Sequence, residues 1–201
     1  MTGLIALLAD SGPMFRRRDG RAPLWDALAQ GLPPRPRAAY VGASNGDEVR
    51  YFEVFEAAMA VAHIDSLQHV TATFDDHERC WLDGADLIVL AGGDPDGGWQ
   101  AMTRRGMNNA IAARAAGGAV LLGISAGAIQ LGTPWCSGSL GLVEALVDAH
   151  DEAAGWERLR HAVRQGTAGR VGLGLPFGTA LVGNPGGPLR PIFGAAVEVH
   201  A

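Results

Sequence analysis

The sequence predicts an α/β fold, a mostly parallel sheet with helices on both faces. Three observations carry that expectation. Short, strongly apolar runs alternate with helical stretches as far as Gly123, and a strand buried on both faces reads as a continuous apolar run. Two of these runs stop in glycine-rich breaks, at Gly92 and Gly123, where the carboxyl end of a parallel strand would open onto a ligand crevice. The length, 201 residues with 48% apolar and 18% charged, suits one globular domain over residues 1–201.

Element by element, Leu4 to Ala9 is the first strand, closed by the turn Ser11-Gly12-Pro13. Pro23 to Gln30 reads as a helix with proline at a favourable first position. Ala38 to Val41 is the second strand, and Gly42 to Gly46 its loop. Asp47 is placed to cap a helix running to about Ala62. Ser66 to Thr73 is a third strand, Asp75 to Leu82 a short helix, and Asp86 to Ala91 a fourth strand. One helix is expected from about Trp99 to Ala115, then a fifth strand, Val120 to Gly123. Beyond Trp135 the chain is loop-like, then apolar from Leu142 to Val147. A helix is expected from Glu152 to Gln165, and closing strands at Thr179 to Val182 and Ala195 to Val199, with a turn-rich joint from Asn184 to Pro188.

Composition excludes several classes. The net charge of -5 argues against a nucleic-acid partner. All basic residues are arginine. No apolar run is long enough to span a bilayer, and the apolar first ten residues lack the basic stretch of a leader. Cys80 and Cys136 form no CxxC pair, as expected of reduced thiols in a cytoplasmic protein. None of the six histidines shows metal-ligand spacing, so neither a metal nor a cofactor is expected.

The chemistry concentrates around Gly123-Ile124-Ser125-Ala126-Gly127, a G-x-S-x-G pattern between the apolar Val120-Leu121-Leu122 and the helical Ala128 to Leu131. A serine on a tight strand-to-helix turn needs neighbours without bulk, and the turn raises its oxygen above the sheet beside helix amides. In a chain with 29 glycines the bare pattern is weak, and an inert serine on a glycine-rich turn is the alternative. Gly92-Gly93-Asp94 is a second candidate. Small residues at a strand end let backbone amides approach a ligand, so the Gly93 and Ala126 amides are candidates for an oxyanion hole. Among the histidines His150 stands out, because it follows an apolar run at an expected strand end.

Four blocks taken together resemble the peptidase E (aspartyl dipeptidase) and cyanophycinase family of serine peptidases. They are Asp86 to Asp94, the Ser-Ala-Gly-Ala core around Ser125, Val147-Asp148-Ala149-His150, and Gly172 to Leu181. The resemblance implies a class I glutamine amidotransferase-like fold. It also implies a mechanism in which Ser125 attacks a peptide or small amide carbonyl and His150 carries the proton, with no cofactor. The family usually carries an Asp-Glu pair in the last block, where this chain has Pro176 and Phe177. Phenylalanine can neither orient a histidine nor stabilise an imidazolium. Glu144, Asp148, Asp151 and Glu152 are the acids near enough in sequence to substitute, and Asp148 is the first candidate, because in an extended segment it shares a face with His150.

Three functions follow. One is a peptide or amide hydrolase. Another is a catalytically impaired member that binds a peptide or acidic ligand. An amidotransferase-like role ranks last, because the elbow holds serine and not cysteine. A homodimer is left open, and no membrane partner is expected.

Overall fold

The computed structural model describes residues 3–166 and 170–201. Among the described residues, ten strands form: β1 (Ile5–Leu8), β2 (Arg37–Val41), β3 (Ser66–Val70), β4 (Leu87–Leu90), β5 (Val120–Ile124), β6 (Leu146–Ala149), β7 (Gly172–Leu175), β8 (Ala180–Gly183), β9 (Leu189–Phe193) and β10 (Val197–Val199). The main sheet has the order β3-β2-β4-β5-β1-β8-β9. Its first five members are mutually parallel. β8 runs antiparallel to β1, and β9 antiparallel to β8. A smaller sheet, in the order β10-β7-β6, stands beside it.

Helices cover both faces of the main sheet: α1 (Pro23–Leu28), α2 (Val49–Ala62), α3 (Asp76–Asp83), α4 (Pro95–Arg104), α5 (Met107–Ala116) and α6 (Ala126–Leu131). The alternation of β1 sorts them. Ala6 and Leu8 pack with Leu24 and Leu28 of α1 and Phe55 and Met59 of α2. Ile5 and Leu7 pack with Leu82, Met102, Ile111 and Leu131 of α3 to α6. Each fully buried side chain of this size contributes about 1.5–3 kcal/mol, so the two-sided burial explains why the strands read as unbroken apolar runs. A seventh helix, α7 (Glu157–Gln165), packs Leu159 and Val163 on the smaller sheet with Trp156.

Four sequence expectations change. The helix expected from Trp99 to Ala115 is two helices, because Gly106 turns the chain at φ 72° between α4 and α5. Asp47 does not cap α2. It takes a left-handed φ of 59° and its carboxylate accepts the Ala72 amide at 2.8 Å. The Glu152 to Gln165 segment begins with a 3₁₀ turn over Glu152–Ala154 before α7. Finally, β9 falls in a stretch that the sequence gives as a joint and its sequel. Pro191 argues against a strand there, yet β9 is the sheet edge, where a missing N–H costs no ladder bond.

Candidate active site

Ser125 lies between β5 and α6 with φ 50° and ψ −108°, a region that non-glycine residues rarely occupy. Its own amide still donates to Leu8 O at 2.8 Å, continuing the β5–β1 pairing. The turn then swings abruptly into α6, whose first residue is Ala126. The two glycines of the pattern permit this by close approach. A Cβ on Gly123 would lie 2.4 Å from Gly127 O, and one on Gly127 would lie 2.2 Å from Leu90 O. Glycine is thus required where α6 presses on β4 and β5.

The Gly92-Gly93 loop leaves β4 directly beside this turn. A Cβ on Gly92 would stand 3.4 Å from the Ser125 Cβ. Gly93 adopts φ 131°, where a Cβ would meet Ser44 O at 2.0 Å. Asp94 then caps α4 by accepting the Asp96 amide at 3.0 Å, with Pro95 in the first turn. Among the described residues, no backbone hydrogen bond engages the amides of Gly93 or Ala126. Buried Gln130 of α6 ties the floor together, donating to Ser44 Oγ at 3.1 Å and to Pro95 O at 2.9 Å.

His150 ends β6 in a left-handed conformation, φ 63°. Its ring and that of Phe177 are in contact, with centroids 4.0 Å apart. Ser125 and His150 line the same cavity of about 330 Å³. Among the described residues, no hydrogen bond joins them, and His150 Nδ1 is buried without a partner. Two non-glycine residues with positive φ therefore face one cavity, and local strain of this kind gathers at functional sites.

Asp148 turns elsewhere. Its fully buried carboxylate accepts from the Ala149 amide at 2.9 Å and from Arg158 Nη2 at 3.2 and 3.3 Å. Burial pushes this carboxyl up from the ordinary range, and Arg158 pulls it back. The shared face expected for Asp148 and His150 requires the strand to continue, but β6 stops at Ala149 and the left-handed turn at His150 redirects the imidazole.

Phe177 sits at the tip of a clamped loop. The Phe177 amide donates to Glu152 Oε1 at 3.2 Å and the Gly178 amide to Asp10 Oδ2 at 2.5 Å. Arg16 Nη1 donates to Gly178 O at 3.1 Å. The ring is 69% exposed, so it caps the imidazole without filling core space. The loop is thus fixed on both sides of the Phe177 ring.

Several cavity residues are not singled out by the sequence: Asp10, Ser11, Tyr40, Asn45 and Tyr51. Asp10 follows β1, and its other carboxylate oxygen accepts the Gly12 amide at 2.7 Å. Tyr40 ends inside the cavity, where Asn45 Nδ2 donates to its hydroxyl at 2.7 Å. Burial pushes the Tyr40 hydroxyl up to about 12, which keeps it neutral. Asn45 Oδ1 is buried without a partner among the described residues. The available signal is positional: Asp10 and Asn45 follow the carboxyl ends of parallel strands, as Gly93 and Ser125 do.

No three or more His, Cys, Asp or Glu side chains among the described residues gather as a metal-binding group. Cys80 and Cys136 are free thiols. No described helix is long and apolar enough to cross a membrane.

The comparisons with known proteins give the family and the fold. The chain belongs to Peptidase family S51, whose sequence model matches residues 7–140. That span includes Ser125 and the Gly92-Gly93 loop and stops before His150. Among solved structures, a peptidase from an acI-B1 Actinobacterium superposes with a TM-score of 0.74 at 17% identity, over 100% of this chain and 95% of its own. A "Putative Peptidase E Protein" from Listeria monocytogenes EGD-e gives 0.67 at 16% identity, over 95% of this chain and 98% of its own. At these identities the likeness is one of fold. No curated protein sequence matches the chain.

Proposed function

We propose that the protein is a serine-type hydrolase of peptide or related amide bonds, with Ser125 as nucleophile and His150 as general base and acid. The observation that carries this reading is the strained Ser125 turn, opening with His150 onto one cavity in a chain of Peptidase family S51. Ser125 Oγ would attack the carbonyl carbon while its proton passes to the imidazole. The carbonyl π electrons move onto oxygen, where the Gly93 and Ala126 amides would donate to the oxyanion. The C–N bond then breaks as the imidazolium gives its proton to the leaving amine, leaving an acyl-enzyme. Water, deprotonated by the same imidazole, releases the acid and restores the Ser125 hydroxyl.

A weaker activity is favoured by one observation, the unpartnered Nδ1 of His150 beneath the Phe177 ring. Loss of a triad acid lowers turnover by about 10⁴. At the limit, the site would bind a peptide and turn it over very slowly. A fluorophosphonate probe tests the reading: the native protein should label and Ser125→Ala should not. Failure of the folded native protein to label would leave the binding role.

A further inference from the structure

The cavity beside Ser125 is walled mainly by apolar and aromatic groups, and the basic side chain in its lining is the imidazole of His150, with no arginine beside it. Tyr51, Val54 and Phe55 of α2 fall at i, i+3 and i+4, so they present one face to it. Met14 and Ile124 complete the wall. Tyr51 and Val54 are also exposed to solvent, at 41% and 39%, so the apolar surface runs from the cavity out to its rim. The carboxylate among the lining residues is Asp10. Arg50 lies outside that lining, over the Tyr51 ring at 4.8 Å and paired with Glu48 at 2.7 Å.

From these groups we infer that the cavity takes a short peptide with a free amino terminus and an apolar first residue. The volume of about 330 Å³ lies at the low end of small-ligand sites, ~300–1,000 Å³, which fits a dipeptide better than a protein loop. An apolar side chain gains burial against Tyr51, Val54 and Phe55. An acidic side chain against Tyr51, Val54 and Phe55 loses its water, finds no arginine in the lining and is repelled by the Asp10 carboxylate. A protonated amine finds a carboxylate at Asp10 and an unpartnered acceptor at Asn45 Oδ1.

This inference rests on the assignment of Ser125 as nucleophile, but it can be tested apart from turnover. Calorimetry on Ser125→Ala would compare Phe-Ala, Asp-Ala and N-acetyl-Phe-Ala, with circular dichroism as the check on folding. Phe-Ala should bind at least about 10-fold more tightly than either of the others, the scale of one well-matched pocket contact. Val54→Arg in the same background, a change at an exposed rim position, should shift the preference toward Asp-Ala. Equal or tighter binding of Asp-Ala by the unmodified pocket, or no binding of Phe-Ala, would overturn the inference. The hydrolase assignment fails differently: Phe-Ala would bind Ser125→Ala selectively while the native protein neither cleaves it nor reacts with the serine probe.

Discussion

The Ser125 half of the candidate site and the His150 half are built to different standards. Around Ser125 the backbone is fixed by contacts that admit no side chain, at Gly93, Gly123 and Gly127. Every one of these positions lies in the main sheet or its first connections. Around His150, whose amide donates to Leu175 O at 3.3 Å, much of the remaining support comes from individual side chains. Asp10, Arg16 and Glu152 clamp the Phe177 loop, Arg158 holds Asp148, and Nδ1 of the imidazole has no partner. The strand carrying His150 belongs to the smaller sheet. The difference teaches that backbone packing resists drift, because any added atom meets another backbone. An exposed side chain such as Phe177 is free of that constraint and can change without disturbing the fold.

The largest expected effect breaks the rigid half. Gly127→Val should destabilise the protein by at least about 3 kcal/mol, because its side chain would overlap Leu90 O. Thermal unfolding checks this, and an unchanged Tm would mean that α6 does not bear on β4 as described. The histidine half should respond by gaining function. Phe177→Glu should raise kcat/KM by at least about 10-fold by giving the imidazole an acid, a fraction of the ~10⁴ such an acid can supply. Steady-state hydrolysis of Phe-Ala measures the gain.

Asp148 sharpens the comparison through pH. Its folded carboxyl holds the proton more tightly than the unfolded chain does, because burial raises it. Stability therefore falls as pH rises above about 4, where the unfolded carboxyl ionises first. Asp148→Asn should accordingly have a higher Tm than the native protein at pH 7, with the gap closing as pH falls to 4. Labelling by the serine probe should be unaffected, since Asp148 is held by Arg158. The smallest effect returns to the elbow. Ser125→Gly should be more stable than Ser125→Ala by about 1 kcal/mol, because glycine accepts φ 50° without strain; paired denaturant titrations would show it.

The rigid half was legible in the sequence because its determinants are local. Val120 to Leu122, the glycines around Ser125 and the Gly92-Gly93 break each announce themselves within a few residues. Four of the five parallel strands, β1, β2, β4 and β5, were legible as apolar runs buried on both faces, whereas β3 is a half-buried edge strand. The cavity wall was not. Tyr51, Val54 and Phe55 look like any amphipathic helix face, and only the docking of α2 beside β2 turns that face toward Ser125. Asp10 reads as one residue of a turn, and its grip on Gly178 spans most of the chain. The turn at His150 was equally hidden, because a left-handed histidine leaves no pattern. It is this turn that separates Asp148 from the imidazole.

The central claim is that the two halves act as one Ser–His site. The direct measurement is the rate of fluorophosphonate labelling for the native protein, His150→Gln and Ser125→Ala, each with its fold verified by circular dichroism. The account predicts labelling of the native protein, none of Ser125→Ala, and a rate at least about 100-fold lower for His150→Gln, the usual contribution of a positioned base. Labelling of His150→Gln at the native rate would contradict it, because Ser125 would then react without the histidine beside it.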